Sequence, residues 1–235
     1  MNISISHKIM SNVTWGRILE HSSFILSYEK ENFYKQLDEL ENLRTDAEYN
    51  TGSISASTAW ILFSLSYFLK SRKVIEIGTF IGKSTVAIAM GMDKTFDQCE
   101  IHTCDSSNSI KLPHVSNVKI TQYPKTGSTE MLEAIASDKN QHGTIDLIHI
   151  DGRLMPKDYS LVKSLLTSRA VIVIDDFEGV EKGVINVINM KNNGFEEEYF
   201  LVYPPEEKML EKYGLISNST TALLIPKKMI TLSSQ

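Results

Sequence analysis

Cysteine, positive charge and long apolar runs are all scarce in this sequence of 235 residues. Its two cysteines, Cys99 and Cys104, fall in one predicted strand, where extended chain holds them about 17 Å apart, beyond the reach of a disulfide. The formal net charge is −5, so there is no basic excess to attract a nucleic acid backbone. These shortages exclude a disulfide-stabilised scaffold and argue against nucleic acid as a partner.

The sequence also lacks a candidate membrane span. The longest apolar stretch, Ala59–Leu69, is interrupted by Ser64, Ser66 and Tyr67, and it falls short of the roughly 20 apolar residues that a span requires. The chain begins MNISISHKIMSN, without the basic and apolar regions of a signal peptide. We therefore expect a cytoplasmic protein without a membrane partner, whose 42% hydrophobic and 23% charged residues are ordinary for a globular chain.

From Ser53 onward the pattern alternates between short apolar strands and helices, which predicts a parallel sheet covered on both faces. The predicted helices are Ser55–Lys70, Ser84–Met92, Ser128–Ser137, Asp158–Thr167 and Gly179–Met190. The predicted strands are Val74–Ile77, Glu100–Cys104, Val118–Gln122, Ile145–Ile150, Ala170–Ile174, Glu198–Val202 and Thr221–Ile225. The polar segment Pro204–Thr220 between the last two strands is long enough for parallel or antiparallel pairing.

Residues 1–52 differ in character and are expected to form a helical extension of the domain at 53–235. Two helices are predicted there, Trp15–Leu26 and the charged Glu29–Glu48. In the second helix an apolar stripe recurs at spacings of three or four, at Phe33, Leu37, Leu40 and Leu43. The stripe is expected to pack on the main body or on a second subunit, and a substrate lid is the alternative. We predict a homodimer with this region at or near the interface, since two-fold dimers are the commonest oligomers.

The segment VIEIGTFIGKS, residues 74–84, reads as a strand, a glycine turn and the start of a helix. Gly78 permits a tight turn and close approach of a ligand, and the helix that opens at Gly82 offers free N–H groups to a carboxylate or phosphate. Three residues separate the two glycines, one fewer than a P-loop requires, and Phe80 stands where a dinucleotide fingerprint has glycine. A turn with purely structural glycines would look similar.

Acidic residues follow three further predicted strands, and ligands of open parallel sheets bind at such strand ends. Asp105 can accept hydrogen bonds from ribose hydroxyls, or it can be a solvated acid that caps the next helix. Asp151, Asp175 and Asp176 would repel one another at one sheet edge unless a divalent cation or protonation relieved the charge. Separate solvated acids, or a helix cap at Asp176, are the alternatives, and carboxylates alone do not identify the metal.

Between Gly52 and Ile225 the sequence resembles the class I S-adenosylmethionine-dependent methyltransferases. It is most similar to the cation-dependent small-molecule O-methyltransferases, which include catechol, caffeoyl-coenzyme A, and bacterial sugar and antibiotic enzymes. The resemblance rests on E-I-G-T-F-x-G-x-S at residues 76–84, T-G-S-T-E-M-L at residues 126–132, and the acids at the strand ends. It implies an α/β, Rossmann-like, doubly wound and mostly parallel sheet of seven strands with an antiparallel last strand.

The resemblance also implies roles for individual residues. Asp105 matches the ribose-binding acid, residues 126–132 border the adenine, and Asp151 faces the methionine amine as well as the metal. The implied cofactors are S-adenosylmethionine and Mg²⁺ or another divalent cation, with Asp151, Asp175 and Asp176 as metal ligands. The implied cofactor-binding residues are Ser53, Glu76, Gly78, Thr79, Phe80, Gly82, Ser84, Asp105, Ser106, Ser128 and Asp151.

One position departs from the family pattern. Relatives carry lysine or histidine three residues after the first metal acid, and this chain has Leu154. The general base is therefore unidentified, with Asp151 the sole catalytic candidate, and catechol is disfavoured as the acceptor. The expected function is divalent-cation-dependent O-methylation of a hydroxyl on a small metabolite, such as a sugar, a phenol or a natural product. The alternatives are a metal-independent N- or O-methyltransferase and a non-catalytic module that binds S-adenosylmethionine or its demethylated product.

Overall fold

A computed structural model describes residues 2–25, 27–47, 52–108, 111–215 and 217–231. One sheet of seven strands, in the order β3-β2-β1-β4-β5-β7-β6, forms its centre. The first five strands pair in parallel, whereas β7 runs antiparallel to both β5 and β6. The strands are β1 (Lys73–Ile77), β2 (Cys99–Asp105), β3 (Val118–Pro124), β4 (Ile145–Ile150), β5 (Leu166–Ile174), β6 (Tyr199–Val202) and β7 (Ala222–Pro226). The predicted Rossmann-like sheet with an antiparallel last strand is confirmed.

Helices cover both faces of this sheet, so its central strands are apolar on both sides. Residues 171–174 of β5 and 147–150 of β4 are all buried, as expected for strands inside a parallel sheet. The helices are α1 (Asn2–Ile25), α2 (Lys30–Glu41), α3 (Ala56–Phe68), α4 (Lys83–Asp93), α5 (Ser128–Ala136), α6 (Asp158–Leu165), α7 (Ile185–Asn192), α8 (Phe195–Glu198), α9 (Glu207–Lys212) and α10 (Lys227–Thr231).

Several predicted boundaries need correction. The first helix begins at Asn2 rather than at Trp15, and the second ends at Glu41, where hydrogen bonding tightens into a 3₁₀ turn over Asn42–Asp46. The predicted ends of these helices, Leu26 and Glu48, lie outside the described residues.

Two further helix predictions also change. The sixth helix stops at Leu165, since Leu166 pairs with Ile145 and so belongs to β5. The helix predicted from Gly179 begins as a π-helical turn over Val180–Val184 and becomes α-helical only at Ile185.

The apolar stripe of α2 packs against the main body of the chain. Phe33, Leu37 and Leu40 are buried in the same hydrophobic cluster as Trp60 and Phe63 of α3. The ring of Phe33 lies with its centroid 5.2 Å from that of Trp60 and 5.0 Å from that of Phe63. The stripe is thus covered within one chain, which agrees with packing on the main body. The homodimer and the boundary between residues 52 and 53 stay predictions.

The α1 helix lies beside the outer edge of the sheet. The indole Nε1 of Trp15 donates to the carbonyl oxygen of Tyr203, just beyond β6, at 2.6 Å. Both cysteines are buried free thiols, and burial raises the pKa of Cys104 to about 12, so its thiol is not a ready nucleophile. None of the helices in the described ranges is long and apolar enough to cross a membrane.

Candidate functional site

A cleft of about 420 Å³ opens at the carboxyl ends of β1, β2 and β4. This is the edge of a parallel sheet at which ligands are expected to bind. The cleft is lined by Gly52, Ile77, Gly78, Phe80, Cys104, Asp105, Ser106, Thr126, Gly127, Ser128, Asp151, Gly152, Arg153 and Lys182. Six of the predicted cofactor-binding residues therefore line one cleft, namely Gly78, Phe80, Asp105, Ser106, Ser128 and Asp151.

The glycine loop between β1 and α4 has a backbone that few residues tolerate. Gly78 has a φ of +104°, and a Cβ at this position would lie 2.8 Å from the carbonyl oxygen of Asp151. Phe80 also has a positive φ, +44°, and its N–H donates to Oδ2 of Asp105 at 2.8 Å. The loop thus packs against the end of β4 and is hydrogen bonded to Asp105 at the end of β2.

Asp105 connects the glycine loop with the segment that follows β2. Its Oδ1 accepts hydrogen bonds from the backbone N–H of Ser107 at 2.8 Å and from the hydroxyl of Ser107 at 2.7 Å. The ribose-binding role of Asp105 stays a prediction, and the structure places the residue on the cleft wall.

Glu76, in contrast, lies beneath the loop and does not line the cleft. Its fully buried carboxylate accepts from the hydroxyls of Thr85 and Thr103, and His149 Nδ1 lies 3.3 Å from its other oxygen. Burial lowers the pKa of His149, but the hydrogen bond and charge of Glu76 outweigh burial, so the net shift is upward. This cluster joins β1, β2, β4 and α4 under the site.

Four other predicted cofactor-binding residues also lie off the cleft lining. The hydroxyl of Ser53 donates to Glu41 at 3.2 Å, and Thr79 pairs with Thr103 at 2.5 Å. Gly82 caps the start of α4, and Ser84 is buried in its first turn. Their contacts organise the loop and its neighbours, and their direct contact with a cofactor stays a prediction.

The three aspartates predicted to bind a metal lie at the ends of β4 and β5, as expected. Asp151 and Asp176 share the ammonium group of Lys182, whose Nζ lies 3.3 Å from Oδ1 of Asp151 and 2.9 Å from Oδ2 of Asp176. Asp175 is buried and accepts from the hydroxyl of Thr221 at 2.9 Å. In the described part of the chain no three His, Cys, Asp or Glu side chains are arranged to hold a metal ion.

The charges in this group shift one another's pKa values. Burial raises the pKa of Asp151 to about 6, His149 and Lys182 oppose the shift, and Asp175 and Asp176 add to it. Burial alone lowers the pKa of Lys182, but its hydrogen bond to Asp176 and the charges of both aspartates outweigh burial and raise it. Lys182 is therefore a stable positive charge on the wall of the cleft.

Sequence reasoning missed Lys182. The available signal was a basic residue in the first turn of the helix predicted after the strand that carries Asp175 and Asp176. Such a turn folds back over the strand end, so its basic side chain can reach the acids. Arg153, also on the cleft wall, donates from its Nε to the carbonyl oxygen of Glu181 at 3.0 Å.

Leu154 and Asp158 are parts of the packed framework. Leu154 is buried, and its N–H donates to Oδ1 of Asn186 at 3.1 Å, so this position supplies no base. Asp158, also missed from the sequence, is fully buried and accepts from the hydroxyls of Ser128 and Thr129 at 2.6 Å each. The hydroxyl of Ser128 is thus directed to Asp158 although the residue lines the cleft.

Comparisons with known proteins agree with this geometry. Residues 75–177 match a family model described as a methyltransferase domain. The chain is 28% identical over 130 residues to O-methyltransferase hkm8 of Aspergillus hancockii, a match that covers 52% of this chain and 48% of that relative. The chain thus spans about half the length of this relative. It is also 28% identical over 170 residues to probable caffeoyl-CoA O-methyltransferase 1 of Dictyostelium discoideum, with 67% of each chain covered.

Two solved structures share the fold. One is an O-methyltransferase from Bacillus cereus in complex with SAH (TM-score 0.58, 16% identity, 90% of this chain and 98% of that chain covered). The other is the O-methyltransferase TomG from Streptomyces achromogenes in complex with SAM (TM-score 0.56, 14% identity, 81% and 89% covered). The chain therefore shares the fold of these two methyltransferases, and its residues 75–177 match a methyltransferase domain.

Proposed function

We propose that this protein transfers the methyl group of S-adenosylmethionine to a hydroxyl oxygen of a small-molecule acceptor. The observation that carries the proposal is the cleft in which the Gly78 loop, Asp105 and Asp151 meet. The relatives named above as O-methyltransferases support oxygen, rather than nitrogen, as the atom that is methylated. The negative net charge supports a small-molecule acceptor over a nucleic acid.

The cleft residues suit the parts of this co-substrate. Gly78 lines the cleft, and because it has no side chain its loop lies directly against the carbonyl oxygen of Asp151. Asp105 can accept from ribose hydroxyls. Ser106 and Ser128 also line the cleft, and Ser128 belongs to the segment that the resemblance puts beside the adenine. S-adenosylmethionine supplies an activated methyl group, so the protein has mainly to bind and orient its two substrates.

The reaction itself is an in-line displacement. The acceptor oxygen forms a bond to the methyl carbon, the bond from that carbon to sulfur breaks, and the electron pair stays on sulfur. The hydroxyl proton must leave the acceptor, and Asp151 is the candidate that receives it, because it lines the cleft and burial raises its pKa to about 6, nearer to neutrality than an ordinary aspartate.

Divalent-cation dependence is a separate hypothesis that comes from the resemblance. In the arrangement described here the aspartates do not fit a metal bound between them, because the ammonium group of Lys182 lies between Asp151 and Asp176 and Asp175 is directed to Thr221. We therefore assign no step to a metal. The site of Asp151, Asp175 and Asp176 stays a prediction, and activity measured in chelator and after addition of Mg²⁺ tests it.

Titration calorimetry with the demethylated co-substrate SAH tests the proposal. We expect SAH to bind, and NAD and ATP not to bind. The Gly78→Ala variant should lose at least about tenfold in SAH affinity, because a Cβ at a φ of +104° is strained and meets the carbonyl oxygen of Asp151.

Gly16→Ala is the matched control, since a Cβ at Gly16 has nothing within 4 Å. Thermal unfolding of both variants separates a loss of binding from a loss of folding. Tight binding of NAD or ATP without a response to SAH would contradict the proposal. Binding of SAH without methylation of any hydroxylated acceptor in a broad panel would instead support the non-catalytic module.

A further inference from the structure

We infer that Lys182 provides the resident cation of the carboxylate cluster and positions the acceptor oxygen for methyl transfer, in the place that the resemblance gives to a divalent metal. The inference deepens the proposed function and rests on it. It makes Lys182 a catalytic residue that contacts the acceptor, and it makes the chain a metal-independent methyltransferase.

The first support is the position of the ammonium group. Lys182 lines the cleft together with Asp151, and its Nζ contacts Oδ1 of Asp151 at 3.3 Å and Oδ2 of Asp176 at 2.9 Å. An ammonium group has three N–H donors, of which these contacts use two. The side chain is 41% exposed, so its third N–H can meet an acceptor oxygen that enters the cleft.

The second support is that the backbone around Lys182 is built for this contact. The π-helical turn Val180–Val184 lies directly on the corner formed by Asp175 and Asp176. A Cβ on Gly183 would lie 2.6 Å from the carbonyl oxygens of both aspartates, so only glycine permits this approach. Asp176 has a φ of +53°, and its carbonyl oxygen accepts from the N–H of Gly179 at 3.1 Å. The turn and the acidic corner therefore hold each other in place.

The third support comes from the other basic groups near the cleft. The Nε of Arg153 is directed to the carbonyl oxygen of Glu181, and the family's lysine or histidine is replaced by the buried Leu154. Lys182, in contrast, forms ion pairs with Asp151 at the end of β4 and with Asp176 after β5.

The charges explain why Lys182 and a metal exclude each other. Asp151 and Asp176 form one binding place for a cation, and a second cation there would be repelled by the first. A hydrogen bond from the ammonium group to the acceptor hydroxyl stabilises the negative charge that develops on its oxygen as the proton leaves, which lowers the pKa of the hydroxyl. Lys182 can thus supply the activation that the resemblance assigns to a metal.

Binding of Mn²⁺, followed by electron paramagnetic resonance with SAH present, tests the inference without an acceptor. We expect weak binding to the parent protein and at least about tenfold tighter binding to Lys182→Met, in which both carboxylates are free for the metal. Lys182→Arg should bind as weakly as the parent, because it keeps the charge. Lys191→Met is the matched control, since Lys191 pairs with Glu196 on the surface of α7 and should leave Mn²⁺ binding unchanged.

One result of the Mn²⁺ titration would overturn the inference: a Lys182→Met variant that binds Mn²⁺ no more tightly than the parent protein does. Once an acceptor is found, turnover by the parent protein should persist in chelator. Turnover by Lys182→Met should fall by about tenfold to a hundredfold, the range that one charge-assisted hydrogen bond represents. Abolition of parent turnover by chelator would also reject the inference.

Failure of the inference can be distinguished from failure of the proposed function. The proposed function fails if the parent protein does not bind SAH, a result that calorimetry gives independently of any metal. The inference fails on the Mn²⁺ affinities while SAH binding is retained.

Discussion

At the scale of single residues, the site rests on carboxylates that are buried and hydrogen bonded. Glu76 and Asp158 have no exposed surface, and Asp175 is 5% exposed. Each accepts from threonine or serine hydroxyls of other elements. A buried charge is tolerated only with such partners, since removal from water costs several kcal/mol. These acids therefore join strands and helices beneath the cleft.

We predict that Asp158→Ala destabilises the protein by about 3 kcal/mol, because it leaves buried donors without their acceptor. The donors are the hydroxyls of Ser128 and Thr129 and the N–H of Met155. Urea denaturation measures the change. The control is Asp138→Ala, which removes an exposed bond to the N–H of Asn140 and should cost about 1 kcal/mol or less. Equal losses in both variants would contradict the framework role of Asp158.

At the scale of elements, α2 is connected to the glycine loop as well as to the core. The ammonium group of Lys83, at the start of α4, lies 2.7 Å from Oε1 of Glu41. Arg44 donates to Glu41 at 3.0 Å and to Ser53 at 3.1 Å, and its guanidinium lies 5.5 Å from the ring of Phe80. The helical extension thus meets the glycine loop through a polar cluster, while its apolar stripe is packed below.

Tyr34 of α2 yields a prediction about pH. Its hydroxyl is buried without a hydrogen-bond partner in the described ranges, and burial raises its pKa from 10.0 to about 12. The folded state therefore keeps a proton that the unfolded state loses, so stability falls as the pH rises from 10 to 12. Tyr34→Phe removes this loss. Its free energy of unfolding relative to the parent should rise by up to about 2 kcal/mol across that range.

Denaturation at pH 7, 10 and 12 measures this difference. Tyr28→Phe is the control, because Tyr28 is 78% exposed, and its free energy of unfolding relative to the parent should not change with pH. The same pH dependence in both variants would show that burial of Tyr34 is not its cause.

At the scale of the whole molecule, the sequence alone left open whether the apolar stripe of α2 packs on the main body of its own chain or on a second subunit. We predict that Leu37→Ala lowers the free energy of unfolding by about 2–5 kcal/mol, because Leu37 is 2% exposed in the main cluster. The mass in solution should stay unchanged. Light scattering should give twice the 26.5 kDa of one chain for both proteins if the predicted homodimer forms. A dimeric parent with a monomeric Leu37→Ala would place the stripe in the subunit interface instead.

The sequence by itself determined the sheet and the edge at which the site lies. Apolar runs such as Val171–Ile174 indicate strands buried on both faces, and strands that alternate with helices must run in parallel. The residues that follow such strands then meet at one edge, so the sequence alone assigns Gly78, Asp105 and Asp151 to one cleft.

Only the tertiary structure decided which groups face each other at that edge. Lys182 comes from a turn after β5, Thr221 lies just before β7, and Glu41 belongs to the helical extension. The local sequence pattern does not specify the partners of these residues. The tertiary structure also decided that Glu76 lies below the glycine loop. Neighbouring residues of a strand point to opposite faces of the sheet, and the packing of α4 decides which of these faces is covered. The spacing of residues in the sequence determines which segments form strands and helices. Which charged side chains form ion pairs depends instead on the distances between segments that are remote along the chain.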